Sequence, residues 1–376
     1  MSPIARYLNV SATVAATMVL TIAAKTSPAV AGVLSVIDLN PTGATSSRAD
    51  GVAGTQQVGR TLIGGISRAS LWSGTADSWV DLNPAGATDS DALGVSDGKQ
   101  VGTVRLSSGQ NHAALWSGTA ASFVDLNPPG YTESEADGVS GGQQVGVASV
   151  GSFAHAALWN GTAASFVDLH PAGATASSAY GVGSGQQVGV VRANLSTHAS
   201  LWSGIAASWV DLNPGGATDS YAYGVSGGQQ VGQVRFLNGR YHAGLWSGTA
   251  ESFVDLNPSG AVLSYAAGVF DGQQVGYATI NIQRRASLWR GNSASWVDLS
   301  AFLPVGFSDS YATGIWSDAN FTYISGYGVN SASGNNEALL WTLPAPEPCS
   351  AAILIAGALV IANKRRCCLS RRPKSN

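Results

Sequence analysis

Seven aspartates sit in one recurring phrase, [Val/Ile]-Asp-Leu, at Asp38, Asp81, Asp125, Asp168, Asp211, Asp255 and Asp298. Carboxylates repeated so regularly invite two chemistries, calcium ligation and acid–base catalysis. Hard cations favour carboxylate and carbonyl oxygens, yet no Asp-x-Asp-x-Asp loop occurs, and Asp89-Ser90-Asp91 and Glu133-Ser134-Glu135 are the nearest approaches. An active site needs a local set of different groups, which breaks the symmetry of its scaffold. Seven identical aspartates therefore read as scaffold, each accepting hydrogen bonds from a neighbouring turn or strand backbone. His112, His155, His198 and His242 share a site four residues before a Leu-Trp tryptophan, where the other copies carry Arg68, Arg285 and Glu337. Equivalent residues on sheets stacked about 10 Å apart cannot share one metal ion, so these read as strand residues. No nucleophile motif, metal cluster or phosphate loop is visible, and no cofactor is expected.

The residues that position these groups form a repeat. The steps between the aspartates are 43, 44, 43, 43, 44 and 43 residues. Each copy also carries a Leu-Trp pair, at Trp72, Trp116, Trp159, Trp202, Trp246, Trp289 and Trp341, and a Ser-x-Ala-x-Gly phrase beginning at Ser47, Ser90, Ser134, Ser177, Ser220, Ser264 and Ser310. A period this regular marks one structural unit repeated. In one copy, alternating runs at 220–225, 229–234, 242–246 and 252–256 are separated by Gly227-Gly228, Asn238-Gly239 and Ser247-Gly248, which predicts four short strands with tight turns. The tryptophans fit the bulky residue that the core of such a unit needs in its third strand, with Trp316 as the candidate for an aromatic ligand site because it has no counterpart elsewhere.

Four strands in about 43 residues, seven times over, predict an all-β, seven-bladed β-propeller across residues 32–343. The ends of the array complement each other. Val36 to Leu39 lacks three preceding strands and the copy ending at Trp341 lacks a fourth, so the N-terminal strand is expected to complete the last blade and leave no open edge. Ser-x-Ala-x-Gly is then the innermost strand, where convergence demands small residues.

Two flanking segments concern delivery. Arg6, an apolar stretch from Val10 to Ala24 and the small-residue site Ala29-Val30-Ala31 read as a secretory signal peptide over residues 1–31, with cleavage after Ala24 as a competing site because Lys25 intervenes. At the other end Pro346-Glu347-Pro348 precedes an apolar run, Ala351 to Ala362, and the basic residues Lys364-Arg365-Arg366 and Arg371-Arg372. A run of that length is near the lower limit for spanning a bilayer, with its basic end cytoplasmic. Residues 344–376 resemble the PEP-CTERM sorting signal of bacterial surface proteins. The resemblance implies a transmembrane helix, transient residence in the inner membrane, and an exosortase-type processing enzyme that cuts near the Pro-Glu-Pro motif. A tail anchor that is never cut is the alternative, and Cys349, Cys367 and Cys368 have no place in the family pattern.

The body resembles a second family. His155-Ala156-Ala157-Leu158-Trp159-Asn160-Gly161-Thr162, then Val167-Asp168-Leu169, then Gly185-Gln186-Gln187-Val188-Gly189 are similar to the HAF family of extracellular bacterial repeats, with Ala, Ser, Gly or Leu where that family has Phe. The likeness spans nearly all of residues 36–341 and implies an exported setting.

Composition agrees. All three cysteines lie in the tail, so the body must rely on packing and ring closure rather than disulfides. Residues 32–348 hold 22 acidic and 11 basic residues, a net charge of −11, which disfavours nucleic acid and anionic membrane surfaces as partners. The resulting expectation is a non-enzymatic propeller at the cell surface or in the extracellular matrix, with an extracellular polysaccharide or protein as partner. The alternative is a glycan-binding or glycan-cleaving propeller with its site in the loops at one channel mouth. Function is expected where copies diverge, in the loops at 106–110, 193–197 and 236–240 and in the stretch 327–336 of the last copy.

Overall fold

A computed structural model describes residues 35–193 and 195–345. The signal peptide with Ala29 and Ala31, the Pro346-Glu347-Pro348 motif and the apolar run after it lie outside the described residues. Seven four-stranded antiparallel sheets follow one another, each in the order of the chain except the last. This is an all-β, seven-bladed β-propeller, and among the described residues no helix is long and apolar enough to cross a membrane. In the exceptional sheet Ser35–Asp38 lies against Asn336–Pro344, with Val36 opposite Trp341 and Ile37 opposite Leu340.

Blade three shows why each unit folds this way. Its inner strand, Glu133–Ser140, alternates Ser134, Ala136 and Val139 into the packing with Glu135 and Asp137 outside it, as a period-two pattern requires. A bulge shifts the register between Ala136 and Gly138. The second strand, Gln143–Val150, then passes so close that a Cβ on Gly146 would overlap the Glu135 carbonyl oxygen. Only glycine fits there. The third strand, Phe153–Trp159, ends in the Leu-Trp pair, and the tryptophan is fully buried in all seven copies.

The fourth strand is shorter than the sequence suggests. Where five residues such as 252–256 were expected, only Val254–Asp255 pairs, because Ala250–Ser252 forms a 3-10 turn in which the Ser252 hydroxyl accepts the Ser247 N–H at 2.8 Å. Serine satisfies a turn donor that a strand would have left to its neighbour.

The core lies between blades rather than within them. Trp202 of blade four packs with Val145, Ala156, Leu158 and Leu169 of blade three, and Trp72 of blade one packs with Leu39, Ala338 and Leu340 across the junction of the chain ends. The serine of Ser-x-Ala-x-Gly bolts each pair of blades. Ser134 accepts the Ala113 N–H of the preceding blade at 2.9 Å and donates to Asn127 Oδ1 at 2.7 Å. The seventh such bolt, from Ala338 N–H to Ser47 Oγ at 2.9 Å, joins the last blade to the first.

Candidate functional site

The seven inner strands converge on an axis so tightly that the glycines of neighbouring blades touch. A Cβ on Gly138 would lie 2.9 Å from the Tyr180 carbonyl oxygen of the next blade. Gly51, Gly94, Gly138, Gly181, Gly224, Gly268 and Gly314 with the residue after each surround a narrow axial space of about 170 Å³. Next to this constriction the two variable positions of Ser-x-Ala-x-Gly face the axis, and here the seven-fold symmetry is lost.

Blades one to three supply charge. Arg48 and Asp50 form an ion pair at 2.8 Å, and Arg60 reaches Asp91 at 3.4 Å. Glu135 and Asp137 on blade three have no cation beside them among the described residues. Burial raises the Asp137 carboxyl well above the usual carboxylate range, and the charge of Glu135 pushes the same way. Glu135 is raised by burial and then by Asp91. Crowded carboxylates of like sign resist ionisation together.

Blades four to seven supply tyrosines. Ring centroids run Tyr180 to Tyr223 at 5.5 Å, Tyr223 to Tyr265 at 4.7 Å, Tyr265 to Tyr277 at 5.4 Å, Tyr277 to Tyr311 at 5.2 Å and Tyr311 to Tyr327 at 4.5 Å. The Arg48 guanidinium stacks 4.5 Å above Tyr327 and joins the tyrosine arc to the acidic side. Burial, reinforced by Asp137, raises the Tyr180 phenol to about 12, so it stays a neutral donor at neutral pH. A cavity of about 520 Å³ opens beside Arg48, Asp50, Tyr265, Tyr277, Tyr311 and Tyr327, within the usual range of ligand sites.

The sequence reading placed divergence in the hairpin loops and the last blade. The structure gathers a different divergent set, the residues inside the most regular phrase of the repeat. The signal was present: the two variable positions read Arg and Asp, Asp and Leu, Glu and Asp, Ser and Tyr, Tyr and Tyr, Tyr and Ala, Tyr and Thr around the ring. Trp316 lies elsewhere, half-buried against Tyr323 and Phe270.

The repeated aspartates make local contacts. Oδ1 accepts the N–H two residues on, at 2.8 Å for Asp81, Asp125, Asp168, Asp211 and Asp255. Oδ2 meets the third-strand cation site: Arg68 at 2.6 Å, His112, His155, His198 and His242 at 2.7–2.8 Å, and Arg285 at 2.7 Å. Each histidine pairs with the aspartate of its own blade, and among the described residues no group of three or more metal-ligating side chains occurs. In the last blade the cation position holds Glu337, which accepts from Asn330 Nδ2 at 2.8 Å, and burial raises the Asp38 carboxyl.

No protein-family model and no curated protein matches this sequence. Solved structures do. The chain superposes on a puromycin hydrolase with TM-score 0.54 and 12% identity, over 80% of this chain and 54% of that one. It superposes on a puromycin-hydrolyzing peptidase of Mycobacterium tuberculosis with TM-score 0.52 and 15% identity, over 77% and 52%. The β-propeller domain of the Trilobed protease from Pyrococcus furiosus, described as having an open velcro topology, matches with TM-score 0.51 and 9% identity, over 81% and 99%. The chain spans about half the length of the puromycin-hydrolysing proteins it matches. At these identities the likeness shows the fold.

These matches correct the expectation of a purely non-enzymatic module. The propellers concerned stand in proteins described as hydrolases and proteases. The absence of a linear catalytic motif was the ground for that expectation. It is weak ground in a repeat protein, where groups far apart in sequence are assembled by the ring.

Proposed function

We propose that this chain is the substrate-holding propeller of a hydrolase acting on amine-bearing acyl compounds such as peptides, with the axial mouth as its binding site. The observation that carries this reading is the division of the mouth into an acidic side and a tyrosine side. A protonated amine set between Glu135 and Asp137 offsets the burial that holds both carboxyls above their usual range, and with it the repulsion of Asp91 on Glu135 and of Glu135 on Asp137. An aromatic or apolar group beside that amine meets the faces of Tyr180 and Tyr223, which also favour the cation itself. The axial constriction makes the mouth a funnel that selects a slender chain end. The hydrolase setting rests on the solved propellers described above.

Titration calorimetry on the propeller with L-phenylalaninamide and with its N-acetyl derivative tests the reading. The free amine is expected to bind at least tenfold more tightly, and Asp137→Asn to abolish the difference. Equal binding of both compounds, or none, refutes it.

The pairing of Ser35–Asp38 with Asn336–Pro344 is proposed to be what closes the ring. Export and delivery follow the sequence reading: the signal peptide, the Pro346-Glu347-Pro348 tail and the HAF-like repeats support an exported precursor, held in the inner membrane and released to the surface by an exosortase-type enzyme. Mass spectrometry of mature surface protein should recover peptides of the propeller and none beyond Arg366. Recovery of that tail would overturn the processing.

A further inference from the structure

Among the four histidine–aspartate pairs, the one in blade four has a third member. In its third strand, Ser196–Trp202, the His198 Nδ1 lies 2.7 Å from Asp211 Oδ2, and the Ser196 hydroxyl lies 3.0 Å from His198 Nε2. In the other three blades the position of that serine holds Gln110, Phe153 and Arg240. The arrangement fixes the proton. A carboxylate at Nδ1 keeps the hydrogen on that nitrogen, so in the neutral ring Nε2 is an acceptor and Ser196 must donate to it. The carboxylate is itself held, because Asp211 Oδ1 accepts the Asn213 N–H at 2.8 Å. Ser196 Oγ also lies 3.1 Å from the Ala193 carbonyl oxygen, which competes with the imidazole for the hydroxyl proton. Access is open: Leu195, next in the hairpin, is 91% exposed and held at φ +70°.

We propose that Ser196 is an acyl-accepting nucleophile, with His198 as its general base and Asp211 as the positioning residue that orients the ring. Ser196 Oγ forms a bond to the acyl carbon of an ester while its proton passes to His198 Nε2. The bond from that carbon to the alkoxy oxygen breaks, and the alcohol leaves with the proton from His198. Water then attacks the acyl-serine, gives a proton to His198, and the acid departs as Ser196 regains its hydrogen. Nucleophile, base and orienting group within hydrogen-bond reach are the signature of such a site. The backbone N–H of Thr197 is engaged by Asp219 Oδ1 at 3.2 Å and does not serve as an oxyanion donor. The substrates assigned are therefore short-chain esters with good leaving groups, which need the least transition-state help. This inference stands apart from the axial mouth and holds or falls without it.

A fluorophosphonate probe on the full chain, with the adduct mapped by peptide mass spectrometry, tests it. The adduct is expected on Ser196, lost in Ser196→Ala and slowed at least about tenfold in His198→Gln. His242→Gln, the same change in blade five, should leave the labelling rate unchanged and so separates catalysis from fold damage. Asp211→Asn should slow labelling while p-nitrophenyl acetate hydrolysis falls with it. Absence of an adduct on Ser196, or labelling indifferent to His198, overturns the proposal.

Discussion

At the scale of single residues the acidic wall sets function against stability. Asp137 binds its proton more tightly folded than unfolded, since burial and Glu135 raise its carboxyl. The sign follows from linkage: for an acid with a raised folded value, stability is fullest below the unfolded value and is lost as pH rises through the folded one. Asp137→Asn should accordingly raise the melting temperature at pH 7, by roughly 1–3 °C, and the gain should vanish near pH 4. Amine binding should move oppositely, strengthening in the wild type as pH rises and both carboxyls ionise. Thermal melts and calorimetry at several pH values check both trends. The seven repeated aspartates should also differ from one another. Asp298, 18% exposed and ion-paired with Arg285, should cost about 1–2 kcal/mol when changed to Asn, whereas Asp38, whose blade carries Glu337 in place of that cation, should cost close to nothing.

At the scale of elements the blade is held by its neighbours. Ser134→Ala leaves the Ala113 N–H buried without a partner and removes the hydroxyl that Asn127 accepts. The expected cost is about 1–3 kcal/mol, while Ser107→Ala in a hairpin loop should be neutral. Denaturant melts of the two variants decide this. Gly146→Ala should be more severe, because the added carbon overlaps the Glu135 carbonyl and the bulge that aims Glu135 and Asp137 must shift. Its loss of amine binding should therefore exceed what its loss of stability explains.

At the scale of the whole molecule, the ends of the described chain meet in one blade. Leu39 is fully buried there, its N–H donates to the Ala338 carbonyl at 2.8 Å, and it packs against Trp72 and Leu340. A chain starting at residue 44 should lose roughly 2–4 kcal/mol, from the missing leucine and ladder hydrogen bonds, and should expose the strand Asn336–Pro344 as an open edge. A melting temperature equal to that of the longer chain would show that the pairing does not close the ring. The axial mouth should suffer too, since Arg48 and Asp50 on blade one and Tyr311 and Tyr327 on blade seven stand on either side of that junction.

Periodicity alone determined the unit, its number and its glycine turns. The seven Trp, Ser and Asp markers recur because packing and hydrogen bonding impose the same demand on every blade, and a demand met seven times is visible in one dimension. What serves a site is met once and leaves no period. Glu135, Asp137 and Tyr223 look like noise inside Ser-x-Ala-x-Gly until the ring closes and sets them around one axis. The same holds for Ser196, whose neighbour His198 is one of four alike in sequence. Only the hairpin geometry brings its hydroxyl to the imidazole. Six of the seven outer strands, cut to two residues by their 3-10 turns, were decided the same way, because a serine in an alternating run reads as strand until its hydroxyl finds a turn donor.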